Sequence, residues 1–157
     1  MKAIGLRVSP NEIFYCVSEK NNENVDIVAI DSLIVPKALH TPEKLAYVRI
    51  NLISLFNMYQ IEYAGIRIPE GTAKNPDINR TYLEGVVQEL LASCNVKMYF
   101  LGRLTSISSR LNESMESIKS FITGDNDLIE IEGLLASAKE KRESILVSLV
   151  AAELGGQ

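Results

Sequence analysis

Apolar and polar positions alternate with period two at the start of the chain, which is the signature of half-buried strands. KAIGLRV (2–8) and EIFYCVS (12–18) flank the turn Ser9-Pro10-Asn11, and a third run, VDIVAIDSLIV (25–35), follows the polar loop EKNNEN and stops at Pro36. Three β-rich runs joined by short polar turns predict an antiparallel meander. The period then lengthens. After His40, Thr41-Pro42-Glu43 supplies a cap, an early proline and a first-turn acid, and Leu45, Val48, Leu52, Leu55, Phe56 and Tyr59 recur at spacings of three and four. This predicts a helix with one apolar face.

A fourth strand is expected over 63–68, a helix over 76–93 introduced by Asn75-Pro76-Asp77, and a fifth strand over 96–101. Two short helical segments follow, near 103–111 and 113–122, then a turn at Gly124–Asp127 and a segment near 128–138. The final helix ends around Glu153. It contains SILVSLVAA, apolar or small on nearly every side, so it is expected between the sheet and other helices. The order β-β-β-α-β-α-β followed by helices predicts an α/β fold with a mixed five-stranded sheet, order 3-2-1-4-5, and helices on both faces. That is the strand order of the RNase H-like fold. One domain over 1–154 is expected, with a frayed tail at 155–157.

Composition narrows the function classes. The 157 residues are long enough for one sizeable core, and 46% hydrophobic with 23% charged is ordinary for a globular chain. A net charge of −4 gives no global basic signature for nucleic-acid or membrane binding, although a local basic groove is compatible with it. Cys16 and Cys94 lack both metal-site spacing and disulfide-scaffold density, so a reduced, cytoplasmic setting is the default. No signal-peptide pattern or spanning apolar run is present, so no membrane association is expected, and Asn112-Glu113-Ser114 is read as a chance triplet. His40, the sole histidine, reads as a surface residue. Phosphate-loop motifs of the Walker or dinucleotide type are absent.

The stretch AGIRIPEGTAKN (64–75) reads as a strand ending in a carboxylate, Glu70, at its exit. With the following helix, which carries Gly85 near its middle, this part resembles the RuvC-type Holliday-junction resolvases. That family places a glutamate after strand four, then a short loop and a helix with a small residue near its middle. The resemblance implies a metal-dependent nuclease site, with Glu70 matching the strand-four glutamate. The family's strand-one aspartate falls at Arg7, and its two aspartates three apart on the last helix fall at Glu140 and Glu143 of KEKRESIL, or at Lys141 and Ser144 if the register slips.

These departures have physical weight. Two-metal hydrolysis needs clustered carboxylates, magnesium demands a near-octahedral oxygen shell, and an arginine cannot shed its charge. The expectation is a catalytically degenerate domain without cofactor or metal, in which Arg7 neutralises Glu70, Glu140 and Glu143, acting as a binding or scaffolding module for a protein partner or for DNA or RNA. The alternative is an active Mg- or Mn-dependent nuclease on structured DNA using those three glutamates. Ordinary solvated roles for the same residues remain open beside both readings. Lys74, Arg80, Lys97, Arg103 and Arg110 are candidate backbone contacts near the carboxyl ends of strands four and five. The resemblance also implies a homodimer through helix 76–93.

Overall fold

The structure, a computed structural model, describes residues 1–72, 74–131, 134 and 137–156. Strands β1 (Lys2–Ser9), β2 (Glu12–Asn21) and β3 (Asn24–Ile34) form the antiparallel meander. Then come α1 (Thr41–Tyr59), β4 (Tyr63–Arg67), α2 (Ile78–Ser93) and β5 (Met98–Gly102), with β4 parallel to β1 and β5 parallel to β4. The sheet order is β3-β2-β1-β4-β5, as expected. Helices α3 (Leu104–Leu111), α4 (Met115–Thr123) and α5 (Lys139–Glu153) complete the chain.

Alternation along β1 sorts its side chains between two cores. Ile4, Leu6 and Val8 pack with Val48, Leu52 and Phe56 of α1 and Leu83, Val87 and Leu90 of α2. On the other face α5 lies against the sheet, with Ile145, Leu146, Val147 and Val150 joined by Ile107 of α3 and Ile118 and Phe121 of α4. Small residues let α5 come close: a Cβ on Gly5 would land on Ser144 O and Ser148 N, and one on Gly65 would meet the Val147 side chain. The buried hydroxyls in this seam satisfy one another, Ser148 Oγ donating to Ser18 Oγ at 2.8 Å and Ser18 Oγ to Ser148 O at 3.3 Å. The Cys16 thiol in the same seam is pushed up to about 12 by burial.

Several boundaries differ from the sequence reading. The cap of α1 is His40 rather than Thr41, with no side-chain hydrogen bond, and Pro42 falls in the first turn. The α2 cap is Asp77, whose carboxylate accepts from Arg80 N at 2.9 Å, so Pro76 stays outside the helix. In the segment expected near 128–138, residues 128–131 are not helical, and 132, 133, 135 and 136 lie outside the described residues. At the expected tail, Leu154–Gly156 form a 3-10 turn with Leu154 buried, and Gly155 rests against Met1 and Tyr63, while residue 157 lies outside the described residues. Leu154 supplies the apolar anchor that holds this turn to the core.

Candidate functional site

Two short sequence patterns build the centre of the site. Gly5-Leu6-Arg7 and Gly65-Ile66-Arg67 lie on neighbouring parallel strands in exact register, Gly5 opposite Gly65 and Arg7 opposite Arg67. Alternation puts all four on the face that receives α5. The glycines admit the helix, and two residues further on both arginines emerge at the carboxyl edge of the sheet, beside its first turns. Two guanidiniums held side by side repel, and neither can lose its proton. The helix answers with Glu143. One carboxylate oxygen accepts from Arg7 Nε, while the other stands 3.8 Å from Arg67 Nε. All three side chains are largely buried, 12–13% exposed for Arg7 and Glu143 and 6% for Arg67.

Glu70 completes the second pair. Its Oε1 lies 2.8 Å from Arg67 Nη2 and also accepts from Leu104 N at 3.0 Å, which ties the β4 exit to the start of α3. Other donors of the arginines reach backbone carbonyls, Arg7 Nη1 to Val8 O at 3.1 Å and Arg67 Nη1 to Ile68 O, while the buried Arg67 Nε has no hydrogen-bond partner. Beside them on α2, Arg80 and Glu84 form a looser pair at 3.5 Å. Burial pushes the Glu84 carboxyl up despite the cations Arg80, Arg7 and Arg67 nearby. Arg80 is pulled down by burial and then by Arg7.

Of the residues singled out from sequence, Arg7, Glu70 and Glu143 come together. Arg7 contacts Glu143 and not Glu70, because Arg67 takes Glu70. Glu140 is half-buried and forms no ion pair among the described residues. The slipped register leads into the helix seam instead: Ser144 is fully buried and donates to Lys141 O at 2.6 Å. The basic residues scatter. Lys74 is exposed on the loop, Arg80 turns to Glu84, Arg103 is exposed with Nε 3.4 Å from Pro69 O, Arg110 lies over the Phe100 ring at 5.1 Å, and Lys97 pairs with Glu62. His40 is exposed.

Sequence reasoning missed Arg67, the second pivot. Its signal was present as the repeated Gly-x-Arg of strands one and four, and reading the two strands as in-register neighbours would have found it.

The donor set does not suit a divalent cation. Among the described residues no group of three or more His, Cys, Asp or Glu is placed to hold a metal. The two central carboxylates are each engaged by a guanidinium, whose fixed charge opposes a cation at the same point.

The strand order, the helices on both faces and the site at the carboxyl edge define an RNase H-like α/β domain, in the arrangement found in RuvC. The chain is similar to Thermus thermophilus RuvC in complex with Holliday junction substrate, at 11% identity and a TM-score of 0.73, over 99% of this chain and 96% of that one. It also resembles the yeast mitochondrial Holliday junction resolvase (16% identity, TM-score 0.58, 96% of this chain, 78% of that one). A third likeness is to fowlpox virus resolvase with substrate Holliday junction DNA (13% identity, TM-score 0.54, 98% and 97%). By sequence, no family model and no curated protein matches the chain.

Proposed function

We propose that this chain is a pseudonuclease: an RNase H-like, RuvC-type domain that holds structured nucleic acid without metal-dependent cutting, with no resident metal or cofactor. The observation that carries this reading is the in-register pair Arg7 and Arg67, which share Glu143 and engage Glu70 where a nuclease of this fold needs free carboxylates. The nucleic-acid class rests on the fold shared with junction-binding resolvases. The exposed Lys74, on the loop after Glu70, and Arg103, with Nε 3.4 Å from Pro69 O, are the basic side chains offered to a backbone in this reading.

We further propose a homodimer through α2, which leaves Ile78 62% and Tyr82 46% exposed and has open space above Gly85. Both cysteines are free, which suits a reducing, cytoplasmic setting. No helix among the described residues is long and apolar enough to cross a membrane.

The test is a labelled four-way DNA junction titrated with the protein in magnesium, in manganese and in chelator, scoring binding and cleavage together. Binding of similar strength in all three, with intact strands, is the expected result. Manganese-dependent cleavage abolished by Glu70→Gln overturns the pseudonuclease reading. Absence of binding to any nucleic acid moves the module to a protein partner.

A further inference from the structure

The outer edge of β3 is unpaired, and its flank carries a groove that the candidate site does not use. β3 ends the sheet, so along Asn24–Ile34 a row of backbone N–H and C=O groups points away from β2. Val28 and Ile34 on this strand are 43% and 68% exposed. Between β3 and α1 a groove of about 220 Å3 runs past Leu33, Leu52, Leu55 and Met58, the last 66% exposed. Small-ligand clefts start near about 300 Å3, so this groove is sized for a side chain.

Charge decides what pairs there. The β2–β3 register slips at Val17 and Ser18, which leaves Val28 without a partner. The extra residue brings Asp26 and Asp31, an odd number of positions apart, to one face. Asp31 stands opposite Tyr15 and Asp26 opposite Glu19, on the side of the sheet that α1 covers. Both aspartates are exposed and form no ion pair among the described residues, and neither does Glu19 with Lys2 across from it on β1. Asp26 and Glu19 are like charges directly across a ladder, which costs free energy that a cation on the next strand would offset. The Asp31 carboxylate accepts from Ser32 N at 2.8 Å and so covers one outward amide of the edge. A second copy of β3 does not fit. Antiparallel pairing along its length sets Asp26 and Asp31 of one chain opposite those of the other or within two residues of them, and like charges there destabilise a ladder.

We propose that this edge takes an extended segment of a protein partner as a sixth strand. The segment carries lysine or arginine beside Asp26 and Asp31, and two positions from the cation an apolar side chain that enters the groove at Leu33. Main-chain bonds supply the attachment, and alternate side chains supply the selectivity. On docking, the Asp31 carboxylate passes from Ser32 N to the incoming cation and frees that amide for the ladder. The surface is independent of the nucleic-acid reading and leaves α2 to the homodimer.

The probe is a short labelled peptide with threonine at every second position and lysine and leucine in turn between them. One control replaces its lysines by glutamate, and another replaces its central threonines by proline, which cannot donate to a ladder. The lysine peptide is expected to bind about tenfold tighter than the glutamate peptide, as two cross-strand pairs changed from opposite to like charge give. It should also slow hydrogen exchange at the Ser32 amide. Asp26→Asn and Asp31→Asn should each weaken the lysine peptide about threefold. Equally tight binding of the proline-containing peptide, or no change at the Ser32 amide, overturns the added strand and leaves only attraction between opposite net charges. Failure of the lysine peptide to bind overturns it as well. Ser32 protection that rises with protein concentration in the absence of peptide assigns the edge to a second copy and overturns the partner strand.

Discussion

Two buried arginine sites stand a short distance apart in this chain, and they are satisfied in opposite ways. Arg142 on α5 is 1% exposed, and its guanidinium donates to two backbone carbonyls, Phe121 O at 2.7 Å and Leu134 O at 2.8 Å. It also lies over the Phe121 ring at 5.2 Å, with Asp127 3.5 Å away. It works as a clamp that ties the end of α4 and Leu134 to α5. Arg7 and Arg67, by contrast, are held mainly by the carboxylates Glu143 and Glu70 at the sheet edge. Carbonyls belong to the fold and cannot be exchanged, whereas carboxylates at an edge are the groups a metal would otherwise use. The comparison separates an arginine paired with backbone carbonyls from arginines paired with carboxylates at an edge.

The largest effect should come from breaking the clamp. Arg142→Met keeps much of the apolar stem but removes two hydrogen bonds from a charged donor, leaving Phe121 O and Leu134 O with only Gly124 N and Ser137 N, and should lower stability by about 3 kcal/mol in urea unfolding. Glu143→Gln should cost somewhat less, about 2 kcal/mol, by leaving two adjacent guanidiniums without their shared anion. The double change Arg7→Met with Glu143→Leu removes one charge of each sign and should return to within about 1 kcal/mol of the parent. If the double variant is as unstable as Glu143→Gln, the edge pair is as structural as the clamp.

A smaller and pH-dependent effect belongs to Glu84. Its folded carboxyl is raised above the ordinary value of 4.5, chiefly by burial. The neutral form therefore contributes stability that is fully present below the ordinary value and lost as pH rises through the folded one. Unfolding midpoints of the parent should decline across that window relative to Glu84→Gln. Parallel pH profiles would show that the cluster cations cancel the burial cost. Glu70→Gln should matter least for stability, under about 0.5 kcal/mol, because the carboxylate is 36% exposed and water screens its pair. Its value is in the cleavage assay, where it separates a pseudonuclease from an altered enzyme.

Much of the architecture was legible in order and period. The meander, the two crossover helices and the sheet order 3-2-1-4-5 follow from where period two gives way to period three to four and from the right-handed crossover rule. The apolar run of α5 correctly placed it against the sheet. Element ends were less legible, because caps such as His40 depend on local backbone geometry rather than on residue type. At the site, Arg7, Glu70 and Glu143 could be named from sequence, but Glu140 could not be separated from Glu143. Both are glutamates on one helix, and only the angle at which α5 meets the glycines decides which of them reaches the arginine.

The sequence by itself determined the chemistry available here: a fixed cation in strand one, a carboxylate at the exit of strand four, and two glutamates three apart at the start of the last helix. These are properties of residue types and their order, and no packing changes them. Tertiary structure alone decided the pairing. Register placed Arg67 beside Arg7, close packing at Gly5 and Gly65 brought Glu143 over both, and the burial of α2 set Arg80 against Glu84 at 3.5 Å. The reason is physical: a charge gains a partner only through distance and dehydration, and both are set by elements far apart in the chain.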